Sequence, residues 1–104
     1  MRVANDKNFD EVVDKDKVTL IDFFATWCMP CTMQAKVLEN IEKSRNVEFD
    51  IVKVNVDESP ELANKFEISS IPTLVVLKNN AVINRSVGFV EENEILDMVS
   101  QTQE

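Results

Sequence analysis

Two short runs of almost continuous apolar residues do most to restrict the fold of this chain. Residues 18–24 (VTLIDFF) and 49–56 (FDIVKVNV) are rich in β-branched and aromatic side chains. Such runs are typical of strands that are buried on both faces of a sheet. The segment between them has helical periodicity and places four apolar residues in one stripe: Met33, Val37, Leu38 and Ile41. A strand–helix–strand order predicts parallel neighbouring strands with a helix packed on the sheet.

The rest of the chain completes an α/β pattern. It predicts a short strand at 2–4, a helix after 5–6, a helix starting at 59–61, strands at 73–78 and 81–87, and a final helix opening at 91–92. Ser59 offers an N-cap hydroxyl, and Pro60 suits the first helical position. Asn79-Asn80 suits a tight hairpin turn, because Asn tolerates positive φ. We therefore predict one domain over residues 1–104, with a mixed five-stranded sheet flanked by four helices on both faces.

The composition argues against two classes of partner. Eleven Lys and Arg against nineteen Asp and Glu give a net charge of −8, so a nucleic acid would find no clustered cations to hold its phosphates. The longest wholly apolar run, 74–77, is far shorter than the roughly 20 residues of a membrane helix. The N-terminus has no apolar signal-peptide region, although a mature secreted form would look the same.

The chain has no histidine and only two cysteines, Cys28 and Cys31. Without histidine, imidazole-based triads and the usual proton shuttle at neutral pH are excluded. A structural zinc site needs four Cys or His ligands, and this chain offers two. We therefore expect no metal, unless an oligomer shares one or carboxylates replace the missing ligands.

Both cysteines belong to the motif Trp27-Cys28-Met29-Pro30-Cys31, which lies where a buried strand passes into a helix. The unpaired first-turn amides and the positive end of the helix dipole stabilise a thiolate at Cys28. This spacing lets two sulfurs form and break a disulfide, and in a βαβ context it indicates a redox pair. The alternatives are a zinc half-site or a structural disulfide, whose short loop would contribute only about 2 kcal/mol.

From about residue 9 to residue 99 the chain resembles the thioredoxin family. The family pattern is a buried strand containing an acid, then W-C-x-P-C at a helix start, then Ile-Pro-Thr before a hairpin. Here these are residues 18–24 with Asp22, residues 27–31, and Ile71-Pro72-Thr73. The resemblance implies the thioredoxin fold and thiol-disulfide oxidoreductase activity.

The resemblance also implies roles for four residues. Cys28 would be the exposed nucleophile that attacks a substrate disulfide, and Cys31 would resolve the mixed disulfide. Asp22 matches a buried acid that moves the proton of the resolving cysteine; an unpaired acid in an apolar strand should have a raised pKa. Lys53 matches a lysine near that acid. The alternative is that neither residue has a catalytic role. Asp22 would then be a solvated acid at a strand end, and Lys53 would be a strand lysine that reaches solvent.

A substrate groove is implied as well, formed by Trp27, Met29, Pro30, Ile71, Pro72, Gly88 and Phe89. Pro72 matches a cis-proline that faces the disulfide, and Ile71 would offer its backbone to an extended substrate segment. Gly88 would keep the groove open, or it is simply a turn glycine at a strand end. Trp27 is expected at the rim of the site, outside the core.

Several positions depart from the family pattern. Met29 replaces a usual glycine, and Phe89 follows Gly88 where a smaller residue is usual. Glu67 and Asn80 stand where glycine is common.

We expect a general protein disulfide reductase of the cytoplasm, acting as a monomer without a cofactor other than the redox-active Cys28–Cys31 pair. The resemblance implies recharging by a flavin-dependent thioredoxin reductase. Strong oxidants often have histidine where Pro30 stands, so the Cys28 thiolate should be only moderately stabilised, which favours a reductant. The alternatives are a reductase dedicated to one partner, with Met29 and Phe89 narrowing its range, and a binding module with incidental cysteines.

Overall fold

The computed structural model describes residues 1–44 and 47–100. Its elements are β1 (Arg2–Ala4), α1 (Phe9–Val12), β2 (Thr19–Phe24), α2 (Met29–Ser44), β3 (Asp50–Asn55), α3 (Pro60–Lys65), β4 (Thr73–Lys78), β5 (Ala81–Val87) and α4 (Glu92–Ser100). The predicted element order is confirmed, with most boundaries shifted by one or two residues. Helix α2 begins at Met29, inside the cysteine motif.

The five strands form one mixed sheet in the order β1-β3-β2-β4-β5. Strand β3 runs parallel to both β1 and β2, whereas β4 runs antiparallel to β2 and β5. The helical crossover through α2 makes β2 and β3 parallel, and the short turn after β4 makes the last pair antiparallel. The central strand β2 is therefore paired on both edges and carries the two-cysteine loop at its carboxyl end.

Helices cover both faces of the sheet, as predicted. On one face, Leu38 and Ile41 of α2 and Ile95 of α4 pack against Leu20 and Leu74. The other face packs against α1 and α3, and its core residues include Phe9, Leu62 and Phe66. Because side chains alternate along a strand, Asp22 lies on the same face as Leu20, beneath helix α2.

The apolar face of α2 differs from the predicted stripe. Its buried residues are Cys31, Gln34, Leu38 and Ile41. Met33, which was predicted on that face, is 51% exposed, and a glutamine occupies the core position instead. The prediction was wrong because periodicity counts a methionine as core even where it borders a surface site.

The start of α3 is also capped differently from the prediction. The Ser59 side chain makes no capping hydrogen bond, and its hydroxyl is buried without a partner among the described residues. Instead, the Asp6 carboxylate accepts the N–H groups of Glu61 at 3.1 Å and Leu62 at 2.9 Å. A residue from the loop after β1 thus satisfies the helix amides.

Asn79 and Asn80 form the predicted hairpin turn, with φ of 51° and 64°. Glu67 also has a positive φ, 56°, at one of the positions where the thioredoxin pattern commonly has glycine. Glu67 therefore adopts a left-handed backbone conformation that residues with a side chain disfavour.

Candidate active site

The two cysteines are joined at the carboxyl end of β2. Cys28 and Cys31 form a disulfide, with 5.2 Å between their Cα atoms. Cys28 immediately precedes α2, and the backbone N–H of Cys31 points at Cys28 Sγ, 3.3 Å away. This first-turn amide has no carbonyl partner within the helix, so it can stabilise negative charge on that sulfur once the disulfide is reduced.

Neither cysteine is widely open to solvent. Cys28 is 7% exposed and Cys31 3%, so the expectation of an exposed nucleophile needs correction. Cys28 packs with Ala25 and the half-buried Ile71. Cys28 is the more accessible of the two.

The segment before β4 closes one side of the disulfide. The Ile71–Pro72 peptide bond is cis, and the carbonyl oxygen of Ile71 lies 4.0 Å from Cys28 Sγ. Gly88 joins this segment from the end of β5, since its N–H donates to Pro72 O at 2.8 Å. The Ile71–Pro72 segment is thus adjacent to Cys28 on one side and bonded to Gly88 on the other.

Gly88 has a φ of 93°, and a Cβ built on it would meet no atom within 4 Å. The positive φ alone favours glycine, so Gly88 is a turn residue at the end of a strand. The open space above it is also consistent with a groove into which another backbone could come. Phe89, the next residue, is half-buried.

An exposed apolar rim flanks the cysteines. Trp27 and Met29 are each 72% exposed, so Trp27 lies outside the core, as predicted. Pro30 is exposed in the first turn of α2. The indole Nε1–H of Trp27 donates to Asp57 Oδ2 at 2.7 Å, which holds the ring in one orientation. A cavity of about 180 Å³ lies beside the ring, with Ile68, Ser70 and Ile71 in its lining.

Asp22 is a buried carboxyl group in the centre of the sheet. It is fully buried, and neither of its oxygens has a hydrogen-bond partner among the described residues. Burial raises its pKa from 3.8 to about 7, against the opposing effect of the Lys53 ammonium, which lowers it. Asp22 is therefore not a solvated strand-end acid, and its carboxyl can exchange a proton near neutral pH.

Lys53 pairs with Asp22 in the register of β2 and β3. Its ammonium lies 4.4 Å from the centre of the Phe24 ring. Lys53, Phe24 and Cys31 all line one cleft of about 240 Å³. The buried Cys31 and the positively charged Lys53 therefore border the same cleft.

Two further residues contact the site that were not predicted from the sequence. Asp57 holds Trp27, and Gln34 makes two hydrogen bonds to the backbone of Val90. Gln34 carried a sequence signal, because a glutamine on the apolar face of a helix needs a buried partner. Asp57 carried no such sequence signal, because an acid in a polar loop is ordinarily expected to be solvated.

Among residues 1–44 and 47–100, no group of three or more His, Cys, Asp or Glu side chains is placed to hold a metal ion. In the same part of the chain, no helix is long and apolar enough to cross a membrane.

Comparison with known proteins matches nearly the whole chain to one family. The thioredoxin family profile matches residues 1–101. Over 98 residues the chain is 43% identical to a thioredoxin of Staphylococcus haemolyticus, covering 94% of this chain and 93% of the relative. A thioredoxin of Chlorobaculum thiosulfatiphilum is 39% identical over 99 residues, or 94% of this chain and 92% of that protein.

A solved structure agrees with this result. A mutant thioredoxin from Halobacterium salinarum superposes with a TM-score of 0.88 at 28% identity, covering 99% of this chain and 90% of that one.

Proposed function

Because this chain belongs to the thioredoxin family and is a thiol-disulfide oxidoreductase, we propose that it reduces the disulfides of other proteins through Cys28 and Cys31. The observation that carries the proposal is the Cys31 N–H directed at Cys28 Sγ at the start of α2. This contact stabilises a thiolate at the sulfur that borders the Ile71–Pro72 segment.

The reaction is a two-step thiol–disulfide exchange. The Cys28 thiolate attacks one sulfur of the substrate disulfide; a mixed disulfide forms and one substrate thiolate leaves. Cys31, deprotonated, then attacks Cys28 Sγ and releases the second substrate thiolate. The substrate gains two electrons and two protons, and Cys28–Cys31 becomes the disulfide.

Asp22 would accept the proton of Cys31 in the second step. A base works best when its pKa is near the working pH, and the pKa of Asp22 is raised to about 7. Lys53 would keep that pKa from rising further, since its positive charge opposes the effect of burial. Cys31 and Lys53 line one cleft, and Lys53 is the register partner of Asp22, so we place the relay of the proton on this side of the sheet.

The substrate would lie across the apolar rim. Trp27 and Met29 offer exposed apolar surface. Pro30 and the half-buried Phe89 would add to it, and the buried Pro72 would shape the backbone beside it. The backbone groups of Ile71 would pair with an extended segment of the substrate, as in strand addition. Open space above Gly88 would let that segment approach closely.

The partners follow from this chemistry. Electron flow toward the substrate requires that another enzyme reduce the Cys28–Cys31 disulfide again, and we assign this step to a flavin-dependent thioredoxin reductase. Pro30 before Cys31 and the net charge of −8 favour a reducing role in the cytoplasm, where thiols stay reduced. We take the active form to be a monomer.

The test is turnover of insulin disulfides with dithiothreitol as electron donor. We expect turnover by the unchanged protein, none by Cys28→Ser, and a stable mixed disulfide with insulin on Cys31→Ser, because the resolving thiol is gone. If neither the unchanged protein nor Cys31→Ser reacts with insulin, while both fold, the protein is not a general disulfide reductase. A reductase dedicated to one partner, or a binding module with incidental cysteines, would then take the place of this proposal.

The assignment of nucleophile is tested separately on the reduced protein. Limited alkylation with iodoacetamide, followed by mass spectrometry, should label Cys28 first. Preferential label on Cys31 would reverse the roles of the two cysteines.

A further inference from the structure

Gln34 is a buried polar side chain that the exchange mechanism does not use. It lies on the core-facing side of α2, three residues after Cys31, and is 0% exposed. Both the nitrogen and the oxygen of its amide bond to one distant residue: Gln34 Nε2–H donates to Val90 O at 3.1 Å, and Val90 N–H donates to Gln34 Oε1 at 2.9 Å. The two residues are 56 positions apart in the chain.

This pair of bonds attaches the active-site helix to the Gly88–Val90 segment, which links β5 to α4. The other end of the segment is attached as well, through Gly88 N–H and Pro72 O at 2.8 Å. Phe89 stands between the two attachments and is half-buried. The backbone on both sides of Phe89 is therefore held, on one side by the Pro72 segment and on the other by the cysteine helix.

We propose that Gln34 is a positioning residue that sets the place of Phe89, between the Pro72 and α2 attachments, and thereby the affinity for protein disulfides. The inference rests on the proposed reductase function and adds to it a determinant of specificity. A substrate large enough to lie across the groove would contact Phe89, and the position of the ring would decide how well it binds. A small disulfide would reach Cys28 without that contact.

Gln34→Met tests the proposal, because methionine has a similar length but makes neither bond to Val90. With insulin as substrate we expect the KM to rise roughly three- to tenfold, since a buried backbone donor and acceptor lose their partners and the segment shifts. The kcat for insulin and the rate with dithiobisnitrobenzoate, a small disulfide, should stay within about twofold. Ile41→Val, farther along the same buried face, controls for a general loss of core packing.

A double variant tests whether the effect passes through Phe89. We expect Phe89→Ala to raise the insulin KM by itself, and Gln34→Met to add little to it in that background. If Gln34→Met changes the rates with insulin and with the small disulfide equally, or adds its full effect to Phe89→Ala, the proposal is wrong. Absence of insulin turnover by the unchanged protein would instead refute the reductase function itself.

Should Gln34→Met fail to fold, two measurements remain. Gln34→Glu keeps an acceptor for Val90 N–H, and at low pH, where the buried acid is protonated, its O–H can still donate to Val90 O. Its insulin KM should therefore be raised less than is expected for Gln34→Met. In the unchanged protein, the Val90 amide should exchange with solvent as slowly as the core strand amides. Exchange at the rate of an exposed loop amide would mean that the bond does not form, and would overturn the proposal.

Discussion

Asp22 and Lys53 are register partners on adjacent parallel strands, yet their side chains have different surroundings. The carboxyl is fully buried without a hydrogen-bond partner among the described residues, while the ammonium lies over the ring of Phe24. The charge of Lys53 lowers the pKa of Asp22, and burial raises it by more. The protonation state of this one carboxyl is therefore coupled to fold stability.

Asp22→Asn should make the protein more stable at alkaline pH. The folded pKa of about 7 lies above the ordinary value of 3.8, so the native state holds this proton more tightly than the unfolded state. Stability is then highest below the unfolded pKa and is lost as pH rises through about 7, by as much as about 4 kcal/mol. Asparagine has no such penalty, so the difference should be largest near pH 8 and should vanish toward pH 4.

Denaturant titrations of the oxidised proteins measure this difference without interference from titrating thiols. The exposed Asp16→Asn serves as the matched control and should leave the pH dependence unchanged. Identical pH profiles for Asp22→Asn and the unchanged protein would contradict a raised pKa at Asp22. The same variant should slow insulin reduction on the order of 10- to 100-fold if Asp22 is the base.

Lys53→Met should raise the pKa of Asp22 further above 7. It removes the charge that opposes the effect of burial but keeps a side chain of similar length beside Phe24. NMR of the Asp22 carboxyl carbon follows the titration directly, and the pH at which stability declines should move upward with it. Lys36 is an exposed lysine of α2, and Lys36→Met is the control. If Lys36→Met raised the pKa of Asp22 as much as Lys53→Met does, Lys53 would have no specific effect on Asp22.

Asp57→Ala should release the indole of Trp27. The bond at 2.7 Å is lost, so we expect lower fluorescence anisotropy from the one tryptophan of the chain and a KM for insulin raised about two- to tenfold. Glu58→Ala removes a neighbouring acid as control. Unchanged anisotropy would mean that packing alone holds the ring.

Glu67→Gly should stabilise the protein by about 0.5–1 kcal/mol. The left-handed conformation at φ 56° costs a residue with a side chain about 1–2 kcal/mol, and glycine avoids this cost. Glycine also loses more conformational entropy on folding, which offsets part of the stabilisation. Lys65→Gly, within α3, should instead destabilise by about 1 kcal/mol. Thermal unfolding of both variants checks the opposite signs.

The sequence was sufficient to predict the sheet and the position of the redox pair. Residues 18–24 and 49–56 indicated buried strands because burial on both faces leaves few polar positions. The pair Cys28 and Cys31 is local, so its spacing and its place before a helix could be interpreted without knowing what surrounds it. The prediction of the thioredoxin fold depended on these local patterns together with Ile71-Pro72-Thr73, and the family match and the solved structure confirm it.

Features that depend on distant residues could not be predicted in this way. Hydrophobic periodicity assigned Met33 to the core and overlooked Gln34, because a pattern along one helix does not reveal whether the opposing surface is apolar, polar or open. Ser59 had the right residue type for an N-cap, but Asp6 was close enough to take its place.

What the sequence determined by itself was the order of elements and the chemistry available, since both arise from neighbouring residues. Only the tertiary structure decided how that chemistry is tuned. The burial that raises the pKa of Asp22, the bond that holds Trp27 and the attachment of Gln34 to Val90 each join groups far apart in the chain. Desolvation and hydrogen bonding act over a few ångströms, so their effect depends on which distant residues the fold brings together.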